Sequence, residues 1–163
     1  STRERSFQNA PLAVRMRQMQ ATAQKVAEFL EQRPELERVL YPGPPSFPQA
    51  ELARRQMMDF DGNFAPGLMV YFVMKGSSAN DALKRAERFI NHVAQSAYCI
   101  TLAVSLGNIR TLIEHPGSMT HSAFPADEQV AKGLDPGGVR LALGLEKPED
   151  IIRDLAASLD AMT

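Results

Sequence analysis

The sequence has little cysteine, little net charge and no long apolar run, and each shortage excludes a class of protein. Cys99 is the only cysteine among 163 residues, so no disulfide can form within the chain. Eighteen lysines and arginines against 19 aspartates and glutamates give a formal net charge of −1, which provides no basic field for nucleic acid or an anionic membrane. No apolar run approaches the ~20 residues of a membrane span, and the N-terminal STRERSFQ lacks the apolar core of a signal peptide. We therefore expect a cytoplasmic protein with neither nucleic-acid nor membrane partners.

Motifs for several common chemistries are also missing. Nothing matches a phosphate-binding P-loop, the G-x-G-x-x-G pattern or the G-x-S-x-G nucleophile elbow. The three histidines, His92, His115 and His121, are scattered and show no paired zinc-ligand spacing, so we predict no metal site. Asp59 and Asp61 hint at a metal loop but lack the further ligands of a calcium loop, which favours a surface turn. We expect Cys99 to be a small buried apolar residue and not a catalytic thiol.

What remains is a chain with enough apolar residues for one substantial core. Hydrophobic residues make up 44% of it, and the length fits a single domain. Spacings of three and four predict a long amphipathic helix over 11–32, ended by Pro34. Further on, the patterns predict alternating elements: strands at 36–41, 67–74, 99–104 and 137–146, and helices at 49–57, after the 76–78 break, at 125–133 and from Pro148, with 109–124 irregular or partly strand. This order favours an α+β fold with helices over one face of a sheet.

The segment GGVRLALGLE, residues 137–146, places one charge among apolar neighbours. In a strand, side chains alternate between two faces. One face then carries Val139, Leu141, Leu143 and Leu145, and is a core face; the other carries Arg140, Ala142, Gly144 and Glu146. Because Ala and Gly are small, we expect room for a ligand beside Arg140.

Arg140 has two readings that the residues alone leave open. A guanidinium can bind a carboxylate ligand through two parallel hydrogen bonds, helped by backbone N–H groups of a turn such as Ser105–Gly107 in SLGN. Alternatively, Arg140 pairs with an aspartate or glutamate of its own chain. His115 and His121, in HPGSMTHS, are interpreted as hydrogen-bonding loop residues.

Three motifs in order carry a resemblance to a known family. AVSLGNIRTLIEHPGSMTHS followed by GGVRLALGLEKPEDIIRDL resembles the C-terminal domain of the Cys/Met-metabolism family of pyridoxal-phosphate (PLP) enzymes, which includes methionine γ-lyase, cystathionine γ-synthase and the homoserine-ester sulfhydrylases. The segment LAVRMRQMQATAQKVAEFLEQRPELERVLYPG resembles the family's entry into that domain, and GLMVYF its next strand. The resemblance covers nearly the whole chain through its SLG, HP-x-SMTH and VRL-x-x-G-x-E motifs.

The resemblance implies a fold and a site. The fold is the small α+β domain of fold-type I PLP enzymes, with a mostly antiparallel sheet and helices packed on one face. Arg140 is expected to bind the α-carboxylate of an amino-acid substrate, with Ser105 and Leu106 of the SLG backbone beside it and Thr120 supporting the arginine. The implied reaction is γ-elimination or γ-replacement on sulfur amino acids or activated homoserine, by an enzyme that forms a homodimer or homotetramer.

The resemblance also implies that something is missing from these residues. The family's Schiff-base lysine lies in a serine- and threonine-rich motif of a larger domain, and none of the five lysines (Lys25, Lys75, Lys84, Lys132, Lys147) has such a context. We therefore expect residues 1–163 to be one C-terminal substrate-binding domain, with 1–32 a connecting helix region, separated from the large PLP domain and inactive alone. It would contain no catalytic residue, and its contacts with the cofactor are not predicted.

Some positions depart from the family pattern. Ala142 stands where serine is common, and Arg110 where an acidic residue is frequent. Val104 stands where family members that handle cystathionine often have an acidic residue, which favours a γ-lyase or sulfhydrylase acting on smaller substrates. An alternative of another class stays open: a stand-alone module that binds amino acids for regulation, or one that only mediates oligomerisation.

Overall fold

The sheet that carries Arg140 and the helices around it define the architecture. The computed structural model of the chain describes residues 2–119, 130–131 and 134–162, with side chains from residue 12 onward. In chain order the elements are α1 (Thr2–Glu31), β1 (Leu36–Leu40), α2 (Ala50–Gln56), β2 (Met69–Met74), α3 (Ala79–Ser96), β3 (Thr101–Leu102), β4 (Leu112–Glu114), α4 (Pro116–Met119), β5 (Gly138–Ala142) and α5 (Pro148–Asp160).

The five strands within the described residues form one sheet in the order β1-β2-β5-β4-β3. Three of its neighbouring pairs are antiparallel, and the β3–β4 pair at the edge is parallel. The predicted α+β class with a mostly antiparallel sheet is therefore confirmed. β5 lies in the middle of the sheet, where Arg140 is in register with Tyr71 on β2 and Glu114 on β4.

One face of the sheet is the core face. Val139 and Leu141 of β5 are fully buried there, because α1, α3 and α5 lay their apolar stripes on this side. Phe72 of β2 meets Phe89 of α3 edge-to-face, with 5.8 Å between ring centroids. The alternation predicted for β5 thus places its apolar residues as expected and leaves Arg140 on the opposite face.

Helix ends follow the capping chemistry of the sequence. The Oγ of Ser78 accepts a hydrogen bond from the backbone N–H of Asp81 at 3.2 Å and starts α3. Pro148 occupies the first turn of α5, where its missing N–H costs nothing. α1 ends at Glu31, shortly before Pro34, but begins at Thr2, earlier than the predicted residue 11. No helix among the described residues has the length and apolarity needed to cross a membrane.

Two predicted elements need correction, and a third lies mostly outside the described residues. The buried strand expected over 99–104 is only the two-residue edge strand β3, whose residues are half-buried. β5 ends at Ala142, so its alternation stops, and Leu145 is 40% exposed instead of being in the core. The helix predicted over 125–133 falls mostly outside the described residues, although Val130 and Ala131 are helical.

Candidate functional site

Arg140 stands on the side of the central strand that faces away from the core. Its side chain is 27% exposed, although β5 itself lies between two neighbouring strands. On the same face, Gly138 precedes it on β5, and an added Cβ there would lie 1.8 Å from the hydroxyl oxygen of Tyr71. This glycine makes room for the tyrosine beside the arginine.

A buried carboxylate lies directly against the guanidinium. Glu114 Oε2 is 2.9 Å from Arg140 Nη2, and the glutamate side chain is only 4% exposed. Yet Oε2 has no hydrogen-bond partner among the described residues, since no N–H of the guanidinium points along the short distance. The contact is therefore an ion pair without a well-aligned hydrogen bond. The internal ion pair, one of the two readings of Arg140, is confirmed.

The second contact of the guanidinium is the SLG turn. Arg140 Nη2 donates to the backbone carbonyl oxygen of Ser105 at 3.1 Å. An arginine has five N–H donors, so four of them make no hydrogen bond to any residue that the structure describes. Among the described residues, the contacts of Arg140 are thus the ion pair with Glu114 and the hydrogen bond to Ser105 O.

The other predicted site residues contribute unequally. Ser105 meets Arg140 through its carbonyl, and its own N–H is already donated to Ala103 O at 3.1 Å. Leu106 is 60% exposed, and neither its N–H nor that of Gly107 has an acceptor within the described part of the chain. These two N–H groups are the donors that the turn can offer. Thr120 lies outside the described residues, as does His121.

A second arginine, which sequence reasoning missed, holds the turn from α1. Arg15 Nη2 donates to the carbonyl oxygen of Gly107 at 2.6 Å. Gly107 has φ +72°, a conformation that glycine adopts without the steric cost other residues bear. The turn is therefore clamped by two guanidinium groups. The available signal was only that Arg15 lies one helical turn before the buried Met19.

The room expected above the small residues of β5 is filled. Ala142 is buried in a second apolar cluster with Met19, Leu68 and Leu112. At Gly144, an added Cβ would lie 2.4 Å from the backbone of Ile109 and Arg110 and from the carboxylate of Glu146. The prediction of ligand space over Ala142 and Gly144 is wrong, because α1 and the 109–111 backbone occupy it. Open surface at the site lies at Arg140 and the turn.

His115 fixes the segment that follows Glu114. Its ring is fully buried, with Nδ1 2.8 Å from Ser118 Oγ and Nε2 2.7 Å from Pro136 O. Because a carbonyl only accepts, Nε2 carries the proton and Nδ1 accepts from Ser118. Burial lowers the pKa of His115 below its ordinary 6.5. The ring is a neutral structural link, which agrees with its interpretation as a hydrogen-bonding loop residue.

The Asp59–Asp61 segment is a surface turn, as predicted. Asp59 Oδ1 accepts from the backbone N–H groups of Asp61 and Asn63, each at 2.9 Å, and these bonds lower the pKa of Asp59. Arg17 pairs with both aspartates. Within the described residues, no three histidine, cysteine or acidic side chains come together to hold a metal ion.

The described lysines do not form a site for PLP. Lys25, Lys75, Lys84 and Lys147 are all exposed, and Lys25 pairs with Glu149 at 3.7 Å on the surface. Lys132 lies outside the described residues. Lys75 borders a surface cavity with Glu35, Asp81 and Arg85, and the other three lysines line none of the described cavities. A Schiff-base lysine must be oriented toward the cofactor, and nothing in the surroundings of these four side chains assigns that role to one of them.

Fold and site together define an α+β domain that presents a partly exposed arginine at the centre of a mostly antiparallel sheet. The sequence model of the Cys/Met metabolism PLP-dependent enzymes matches residues 10–160. This chain belongs to that family, whose cofactor is pyridoxal 5′-phosphate.

Individual relatives agree with this assignment. The chain is 44% identical over 151 residues to an L-methionine gamma-lyase of Porphyromonas gingivalis, covering 93% of this chain and 34% of the relative. It is 38% identical over 149 residues to a cystathionine gamma-lyase of Dictyostelium discoideum, covering 91% and 35%. A crystal structure of cystathionine gamma synthase from Xanthomonas oryzae pv. oryzae, in complex with aminoacrylate and cysteine, superposes with a TM-score of 0.72 at 32% identity, covering 93% and 35%. The chain thus spans about a third of the length of these relatives.

Proposed function

We propose that this chain is the substrate-binding domain of a PLP-dependent enzyme that acts on sulfur amino acids or activated homoserine by γ-elimination or γ-replacement. The relatives named above are lyases and a synthase of this kind, and the chain matches one third of their length. The cofactor lysine would then belong to a part of the enzyme outside this sequence. This domain by itself would be inactive.

The proposal depends on the exposure and the hydrogen-bond donors of Arg140. A partly exposed guanidinium with four N–H donors uncommitted to described residues, on the face of the central strand that points away from the core, is suited to a carboxylate. Strands fix a binding group more precisely than loops do. In our proposal Arg140 binds the substrate α-carboxylate, and the N–H groups of Leu106 and Gly107 lie beside it as further donors.

Glu114 has a definite part in this proposal. Its buried charge compensates Arg140 when no ligand is bound and holds the guanidinium against the sheet. A carboxylate ligand would approach the solvent-facing edge of the guanidinium, opposite its buried partner.

Val104 supports a preference for smaller substrates. It is an exposed apolar residue immediately before the turn that holds Arg140. An apolar side chain there offers no partner for the second amino acid portion of cystathionine, which favours methionine-like substrates. Cytoplasmic location, Thr120 as support of Arg140 and assembly into a homodimer or homotetramer stay predictions.

Kinetics of the full-length, cofactor-loaded enzyme test the proposal. Thiol release from L-methionine should be readily measured, and Arg140→Lys should reduce kcat/KM by at least tenfold, since lysine loses the two-pronged fork. Arg153→Lys, at an exposed arginine paired with Asp150 on α5, is the matched control and should change little. Unchanged kinetics in Arg140→Lys would reject the carboxylate role. Tight amino-acid binding by the isolated chain without cofactor would favour the regulatory alternative instead.

A further inference from the structure

The G-x-E end of the VRL-x-x-G-x-E motif makes no direct contact with Arg140, whose described partners are Glu114 and Ser105 O. Gly144 and Glu146 follow β5, beyond the point where its pairing ends. Both contact the segment that closes the β3–β4 loop, the loop that contains the SLG turn.

Thr111 is the centre of this contact. Its side chain is fully buried, and Glu146 accepts both of its donors: the N–H at 2.9 Å and the hydroxyl at 2.7 Å. The same hydroxyl oxygen accepts the backbone N–H of Gly144 at 3.0 Å. The N–H, the hydroxyl hydrogen and the hydroxyl oxygen of Thr111 are thus all used, so the direction of each of these hydrogen bonds is fixed.

Gly144 is required by distance and not by backbone conformation. An added Cβ would lie 2.4 Å from Ile109 O and from the carbonyl carbon of Arg110. The N–H of Leu145 donates to Ile109 O at 2.8 Å, which holds the two backbones together. The 109–111 segment therefore lies fixed against the end of β5.

The side-chain contacts of the turn come from two arginines. Ser105, Leu106 and Gly107 are exposed, and the described side chains that bind their carbonyls are those of Arg140 and Arg15. On the β4 side the loop is anchored through Thr111, immediately before β4 begins at Leu112. On the β3 side the loop is held by Ala103 N–H, which donates to Ile113 O at 3.1 Å, so the path of the turn depends on both anchors.

We propose that Glu146, Thr111 and Gly144 form a positioning lock that sets the SLG turn and, through Ser105 O, the orientation of the Arg140 guanidinium. The proposal rests on the proposed function, in which Arg140 binds the substrate carboxylate. These are positioning residues, since none of them touches the ligand. Substitution of any of them should specifically weaken the recognition of the ligand carboxylate.

The test uses the full-length, cofactor-loaded enzyme and two inhibitors of L-methionine turnover, L-norleucine and L-norleucinamide. They share a side chain and differ only in that norleucinamide lacks the carboxylate. Thr111→Val keeps the shape and removes the hydroxyl, whereas Thr111→Ser keeps the hydroxyl. We expect Thr111→Val to raise the inhibition constant of norleucine at least tenfold and that of norleucinamide less than threefold. Thr111→Ser should stay within threefold for both.

The Arg140→Ala background separates this inference from the function it rests on. Arg140→Ala should abolish the preference for norleucine, and Thr111→Val added to it should change nothing further. An additive effect, or an equal loss for both inhibitors in Thr111→Val, overturns the lock and assigns Thr111 to general stability. Selectivity lost in Arg140→Ala but kept in Thr111→Val overturns the lock alone. Selectivity kept in Arg140→Ala overturns the proposed role of Arg140, and the lock with it.

A second variant tests the lock independently, in case Thr111→Val does not fold. The two carboxylate oxygens of Glu146 accept the two donors of Thr111. Glu146→Gln keeps a side chain of the same size but replaces one of these oxygens with an NH2 group, which cannot accept a hydrogen bond. It should also shift the ratio of the two inhibition constants toward norleucinamide. An unchanged ratio in this variant contradicts the lock.

Discussion

The Arg140–Glu114 pair should show an asymmetric response when its members are removed one at a time. Arg140→Met leaves the glutamate side chain, 4% exposed, without a countercharge, and breaking a buried pair in this way costs about 3 kcal/mol. Glu114→Gln leaves the arginine, which is 27% exposed and still bonded to Ser105 O, so the loss should be about 1 kcal/mol. The double variant has no charge to strand, and its loss should be smaller than the sum of the two.

Urea unfolding followed by circular dichroism measures these differences. With a slope of about 2 kcal/mol per molar urea, the midpoint should fall by about 1.5 M in Arg140→Met and about 0.5 M in Glu114→Gln. The coupling energy from the double-mutant cycle should exceed about 1 kcal/mol. Equal losses in the two single variants, or strict additivity, would refute the reasoning, because either result means that Glu114 does not depend on Arg140 for compensation.

Two further groups give predictions of their own. Because the pKa of His115 is lowered in the folded chain, the unfolded chain takes up its proton first, and stability should fall as pH drops below 6.5, by up to about 1.4 kcal/mol per pH unit. His115→Gln should flatten that slope in urea titrations between pH 7 and 5, and an unchanged slope would show that another group causes it. Burial, and then the carboxylate of Asp154, raise the pKa of the Cys99 thiol to about 12. Alkylation of Cys99 by iodoacetamide at pH 8 should be roughly a hundredfold or more slower than in the urea-unfolded chain, and Asp154→Asn should speed it. Equal rates in the folded and unfolded chains would disprove the protection.

Sequence patterns predicted those elements of the fold that neighbouring residues determine. The apolar stripe of α1 and the continuous apolar run of β2 each specify an element through neighbouring residues. The length and burial of β3 were overestimated, because an apolar run does not show whether a strand lies inside the sheet or at its edge. Its two paired residues lie at the edge, parallel to β4.

The candidate site was predictable only in part for a related reason. The alternation in β5 placed Arg140 on the face away from the core, but its partners come from pairings that are distant in sequence. Glu114 reaches it through the β4–β5 register, and Arg15 binds Gly107 from 92 residues away. Nothing in GGVRLALGLE shows that α1 covers Ala142 or that the 109–110 backbone lies against Gly144. Small residues signal close approach, and the sequence does not say whether a ligand or the chain itself approaches.

A crystal structure of the full-length enzyme with L-norleucine bound would test the central claim most directly. We expect both carboxylate oxygens of the ligand to lie within about 3 Å of the Arg140 guanidinium nitrogens, the usual distance of a charge-assisted hydrogen bond. Glu114 should remain against the buried side of that guanidinium. A ligand whose carboxylate is held by other residues, with Arg140 bonded only to Glu114 and Ser105, would contradict it.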